Sequence, residues 1–266
     1  MNGVALAART VANLVAVVAV ILVLWVAALA VFDVSDYVGK GPADVWAYLV
    51  GEEDAAQHRD EVAGLLGATL RDAGIGFVAG MAAAVVLAVA IVLSRVLETA
   101  VMPVALILRS VPLIALAPII ILLVGRGHAV VAVMGGIVVL FPALVTIVFG
   151  LRSVTPQMRD VVTVYGGSAR AVLRKVAVPT ALPAFFGAVR ISVPGAITGA
   201  LLAEWLATGE GIGHAVVSAA NQSQNTRVWA LVVVVTLASL ALYMVAQLAE
   251  TMVLRRFAMA TTGAGP

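Results

Sequence analysis

Few residues in this sequence have the types and spacing that chemistry needs. There is no cysteine, so thiol chemistry, disulfides and Cys-ligated metals are excluded. The three histidines, His58, His128 and His214, lie too far apart for a metal-ligand spacing. The only Gly-Lys pair is Gly39-Lys40, with Val34 where a phosphate-binding loop needs its first glycine and Gly41 where it needs Ser or Thr. Gly209-Glu210-Gly211-Ile212-Gly213 is glycine-rich, but no strand precedes it, and it reads as a mobile turn on the outside. We expect no catalytic residue, no metal and no cofactor in this chain. What remains is isolated polarity in apolar surroundings, above all Glu204. A carboxylate there is costly unless it faces a pathway, a partner or the membrane interface. It could be a structural ion pair or gate hydrogen bond, a substrate-path contact, or a plain interfacial group. Arg109 and Arg190 are its candidate partners, and Arg109, Pro112, Arg190 and Glu204 are the candidate pathway or gate residues.

The elements that hold these residues must be membrane helices. Of 266 residues 63% are hydrophobic and 11% charged, which leaves a water-soluble fold too little polar surface to cover itself. The same balance excludes disorder, and a net charge of +2 is too small to argue for nucleic acid. We therefore expect an all-α polytopic membrane protein, with one transmembrane domain over 1–266 and a lipid bilayer around it. Spans are expected at about 11–32, 73–94, 104–124, 129–151, 187–207 and 228–254, each near the length that a bilayer requires. Pro103, Pro112 and Pro118 break the third apolar stretch, with a short helix before Ser110-Val111-Pro112 and a span after it. Trp25, Trp46, Trp205 and Trp229 read as interface anchors.

Residues 33–61 form an acidic segment, with a short helix expected from Pro42 to Leu49. Arginine and lysine set the orientation. With a cytoplasmic N-terminus, Arg9, Arg95, Arg152, Arg159, Arg170, Arg174, Lys175, Arg190, Arg255 and Arg256 lie inside. Only Lys40, Arg59, Arg71, Arg126 and Arg227 lie outside. That bias predicts both termini in the cytoplasm of a multi-pass cell (inner) membrane protein.

Residues 152–186 carry most of the interior polarity, and 155–180 is its informative part. Thr155-Pro156 is a helix start, a hydroxyl cap followed by proline at the first helical position. The helix should run to about Tyr165, Gly166 can take the left-handed position that ends it, and Gly167 continues the turn. Ser168 can cap a second short helix over 169–177, which Pro179 should stop. Two short helices with a sharp bend would carry Arg159, Asp160, Arg170, Arg174 and Lys175. They would lie on the lipid headgroups or dock into a partner protein.

These residues resemble a family. The membrane subunits of binding-protein-dependent ABC importers carry a cytoplasmic motif of Glu-Ala-Ala, three residues, Gly, nine residues, Ile, one residue and Leu-Pro. This chain has Asp160-Val161-Val162, then Gly166, then Val176-Ala177-Val178-Pro179 at the same spacing. It departs in Asp for Glu and in Val for both Ala, for Ile and for Leu. Arg109-Ser110-Val111-Pro112, Phe141-Pro142, Gly150-Leu151-Arg152, Leu182-Pro183, Ala203-Glu204 and Gly209 to Gly213 are similar to further stretches of that family. The subgroup it looks closest to is the nitrate, sulfonate and taurine type, which includes permeases for thiamine precursors.

The resemblance implies a non-enzymatic transport subunit that switches by alternating access. Its coupling residues would be Asp160, Val161, Val162, Tyr165, Gly166, Gly167, Ser168, Arg170 and Pro179. Its partners would be a separate ABC ATPase dimer that binds ATP and Mg, an extracytoplasmic substrate-binding protein, and a second copy of this chain. An ion-coupled secondary transporter is the competing expectation. It would want intramembrane acid–base relays and internal repeats, of which Glu204 alone is in view.

Overall fold

The computed structural model describes the backbone of residues 3–262 and the side chains of 16–256, apart from 106, 108 and 109. The Arg109 side chain, the Arg9 side chain and the chain ends proper therefore lie outside the described residues. Among the described residues every regular element is a helix.

The first helix, α1, covers Gly3–Val31. α2, Pro42–Trp46, starts with proline in its first turn, and Asp44 Oδ2 accepts from the Gly41 N–H at 2.8 Å. A widened turn, Ala47–Gly51, follows it. α3 runs from Ala55 to Leu93. It takes in the last part of the acidic segment, where neither Gly-Pro nor an Asn-Gly pair interrupts helical pairing. α4 is Arg95–Ser110 and α5 is Leu113–Val124. Pro103 and Pro118 stay inside these helices, so of the three prolines only Pro112 separates them. Ser110 Oγ donates to the Ile107 carbonyl at 2.7 Å, closing α4, and Pro112 is extended at φ −60° and ψ 120°.

α6 covers His128–Arg152 and keeps Pro142 inside, with Thr146 Oγ1 donating to the Pro142 carbonyl at 2.8 Å. α7 is Pro156–Val164 and α8 is Ala169–Val172. A widened turn, Leu173–Ala177, then leads into α9, Val178–Ala203. Pro179 does not stop the helix, contrary to the expectation. The Val178 N–H reaches back to the Leu173 carbonyl, and this wider loop lets the helix continue through the proline ring. Helical backbone is then unbroken over Ala169–Thr208, ending in another widened turn, Glu204–Thr208. α10 is Gly211–Asn221 and α11 is Asn225–Thr262.

Ala55–Leu93, His128–Arg152, Ala169–Thr208 and Asn225–Arg256 are long and apolar enough to cross a membrane. Ala16–Val31 and Leu113–Val124 are shorter apolar helices.

The chain divides into two compact units. One combines 1–63 with 216–234. Its core holds Val45, Tyr48 and Ala230, with Trp25 and Trp229 packed against them. The two indoles stack at 5.4 Å, and Trp229 Nε1 donates to the Val38 carbonyl at 2.9 Å. Asn225 Nδ2 donates to the Tyr37 carbonyl at 2.7 Å, and Arg227 pairs with Glu61. Trp25 and Trp229 are thus half-buried against this core, while Trp46 is exposed.

The other unit combines 64–215 with 235–266. Glycines let its helices approach at backbone distance. A Cβ on Gly76 of α3 would lie 2.8 Å from Gly135 Cα, and one on Gly199 of α9 would lie 2.7 Å from the same atom. α6 is therefore gripped from two sides by the 76/80 and 195/199 glycine pairs. Val130, Val131 and Met134 of α6 continue this core against Ala117, Ile120, Ala203 and Ala207.

Candidate functional site

The bend between α7 and α8 is built locally. Thr155 Oγ1 accepts from the Met158 N–H at 3.4 Å, and Pro156 needs no partner for a donor it lacks. At the other end the Gly166 N–H donates to the Thr163 carbonyl at 2.9 Å, and the Gly167 N–H to the Val162 carbonyl at 2.8 Å. Gly166 stands at φ +79°, where a side chain is strained. A Cβ on Gly167 would lie 2.7 Å from the Val162 carbonyl oxygen. Ser168 Oγ then accepts from the Ala171 N–H at 3.4 Å and starts α8.

This segment turns its apolar side chains outward. No residue of α7 is buried, and Val161, Val164 and Tyr165 are 61%, 81% and 88% exposed. Asp160, Arg170 and Pro179 are exposed as well, while Val172 and Ala177 are buried and root the second helix. A cluster of exposed large apolar groups beside charges of both signs has the character of a protein-docking surface.

Glu204 has the opposite setting. It is fully buried at the end of α9, and its Oε2 accepts from Thr69 Oγ1 at 3.0 Å and from the Gly213 N–H at 2.7 Å. Thr69, also fully buried, accepts in turn from the Ile212 N–H at 2.9 Å. The carboxylate and the Thr69 hydroxyl thus each satisfy one of the first backbone donors of α10, and the bond between them ties that helix start to α3. The chain passes so close that a Cβ on Gly211 would fall onto the Glu204 carboxyl group. The Gly209–Gly213 stretch is therefore an anchored corner rather than a free turn. Beside it, Asp72 is buried, with Arg71 Nε donating to its Oδ1 at 3.4 Å and His128 Nδ1 at 3.9 Å from the same oxygen.

The other candidates fall elsewhere. Arg190 is not a partner of Glu204: its Nη1 lies 3.1 Å from Glu250 Oε2, and its guanidinium lies 5.9 Å from the Tyr243 ring centroid. Pro112 sits at the junction of α4 and α5. No group of three or more residues able to hold a metal ion occurs among the described residues. Thr69, Asp72 and Glu250 carry no local sequence signal. Thr69 lies 135 positions from Glu204, and only the fold brings them together.

Residues 74–259 match the family described as binding-protein-dependent transport system inner membrane component. Among curated proteins, the chain is 27% identical to a probable ABC transporter permease protein of Haemophilus influenzae, over 85% of this chain and 90% of that one. It is 30% identical to the riboflavin transport system permease protein RibX of Chloroflexus aurantiacus, over 60% of each chain. It is also 32% identical to the formylaminopyrimidine transport permease protein ThiX of Halalkalibacterium halodurans, over 56% of this chain and 60% of that one. With the helical membrane architecture, these matches identify the chain as a member of the binding-protein-dependent transport system inner membrane component family, the non-catalytic permease subunits of ABC transporters.

Proposed function

We propose that this chain is the permease of an ATP-driven importer and that residues 155–180 couple it to a separate ATPase. The observation that carries this reading is the bare α7–α8 bend, with Val161, Val164 and Tyr165 exposed on a frame closed by its own caps. Such a preformed knob can seat in a cleft of the ATPase and move with it when ATP closes the dimer. Asp160 and Arg170 would make the polar contacts, and Gly166, Gly167, Ser168 and Pro179 would keep the shape. Val162, whose carbonyl receives the Gly167 N–H, belongs to the same frame.

The transporter would hold two copies of this chain, each with six spans and both termini in the cytoplasm, so that two bends meet two ATPase subunits. An extracytoplasmic binding protein would deliver a small organic or anionic solute. The sulfonate, taurine, nitrate or thiamine-precursor class is the expected range, and relatives named for riboflavin and formylaminopyrimidine favour a small heterocyclic compound. Glu204 would act as a structural latch on the α9–α10 corner, which its two hydrogen bonds support. Arg190 and Pro112 would serve the switching of the spans, Arg190 through its ion pair with Glu250.

Mild-detergent co-purification of the tagged chain from its native membranes, with mass spectrometry, tests this reading. A stoichiometric P-loop ATPase is the expected result. A clean oligomer without an ATPase over repeated mild conditions would favour an ion-coupled carrier instead. Ligand screening of a co-purified binding protein would name the solute.

A further inference from the structure

A pocket of about 480 Å³ lies where the end of α3, the start of α4, the end of α6 and α7 come together. Three guanidinium groups line it, from Arg95, Arg152 and Arg159, against one carboxylate, Glu98. Arg152 pairs with Glu98. That hydrogen bond, with the nearby charges of Arg152 and Arg95, holds the Glu98 carboxyl below the usual carboxylate range. Glu98 is thus ionised at neutral pH and matches one arginine only. Arg95 and Arg159 have no ion-pair partner among the described residues, so the pocket keeps an excess of two positive charges.

The remaining wall is apolar. Ile91 and Leu151 are buried, and they belong to the last turns of α3 and α6, two helices long and apolar enough to cross a membrane. The arginines therefore stand at the ends of these helices, where lipid headgroups would lie if both helices span the bilayer. Two guanidinium groups without a counter-charge beside the Arg152–Glu98 pair favour a further anion between them, and guanidinium forks match phosphate oxygens.

We propose that this pocket is a binding site for a phosphate group, carried by an anionic phospholipid of the adjoining leaflet or by a free phosphate anion. The leaflet is the cytoplasmic one on the orientation proposed above, and to that extent the inference rests on it. Arg159 directly precedes Asp160 in the segment proposed to meet the ATPase. An occupied site would therefore fasten the base of α7 to the membrane surface while leaving Val161, Val164 and Tyr165 free.

The test uses the full chain in mild detergent with two probes, spin-labelled phosphatidylglycerol and radiolabelled inorganic phosphate, and labelled phosphatidylcholine as the neutral comparison. Arg95→Gln should weaken probe binding about fivefold, and Arg95→Gln with Arg159→Gln about 30-fold. Arg126→Gln, a comparably exposed arginine outside the pocket, should leave it unchanged. Binding of the lipid that millimolar phosphate does not displace assigns the headgroup, and displacement assigns the free anion. Should the double variant not elute as a folded protein, Arg159→Gln alone, expected to weaken probe binding about fivefold, decides with Arg95→Gln. Binding of both probes that is unchanged in the folded variants, or phosphatidylcholine bound as tightly as phosphatidylglycerol with no retained phosphate, overturns the proposal. The readout involves no ATPase. Arginine-dependent binding without ATPase co-purification would remove the importer reading and leave the site, and the reverse would remove the site alone.

Discussion

Gly166 and Gly211 adopt nearly the same backbone conformation, at φ +79° and +76°, and each stands at a corner between two helices. Their surroundings are opposite. A side-chain carbon on Gly166 would meet nothing within 4 Å, whereas one on Gly211 would strike the Glu204 carboxyl group. The first corner is fixed by its own caps and leaves its apolar groups uncovered. The second is closed by a buried carboxylate and a buried hydroxyl. An open corner is shaped for something outside the chain, and a filled corner is shaped for the chain itself. Substitutions at the two should therefore separate transport from stability.

The largest stability effect is expected at the filled corner. Glu204→Leu leaves the Thr69 hydroxyl and the Gly213 N–H without their acceptor in an apolar setting, and should cost about 4 kcal/mol. Thermal unfolding in detergent should show a marked fall in Tm, and a wild-type Tm would mean that the corner does not hold the helices. Thr69→Val removes the donor to Glu204 and the acceptor for the Ile212 N–H while keeping the shape, and should cost about 2 kcal/mol in the same assay. Gly166→Asp strains an open turn by about 1 kcal/mol, since aspartate tolerates the left-handed region. It should insert normally yet abolish uptake, because it stiffens and charges the bend, and wild-type uptake at normal expression would break the comparison. Tyr165→Ser should change stability by less than about 0.5 kcal/mol, because the ring is exposed, while lowering uptake more than tenfold. Equal losses of stability and uptake would show that the ring packs within the chain.

The open corner was legible in the sequence because each of its parts is local. Thr155, Pro156, Gly166, Gly167 and Ser168 perform their capping and turning within a few residues of themselves. The filled corner was only half legible. Its apolar neighbours in the sequence made Glu204 conspicuous, but Thr69 is an ordinary hydroxyl on a distant helix, and Arg190 does not answer the charge. Arg190 answers Glu250 instead, a pairing equally hidden by distance along the chain. Pro179 misled for a local reason: proline predicts a helix end, and the widened turn before it removes the clash on which that rule rests. The helical class was set by composition and apolar run length, and neither depends on long-range pairing.

The most direct test of the coupling assignment is site-specific crosslinking in native membranes. The chain has no cysteine, so a single introduced thiol reacts without competition. Tyr165→Cys, joined through a short bifunctional reagent, should crosslink to a P-loop ATPase, and Gln222→Cys, between α10 and α11, should not. An ATPase captured from position 222 and absent from position 165, at equal expression, would contradict the account.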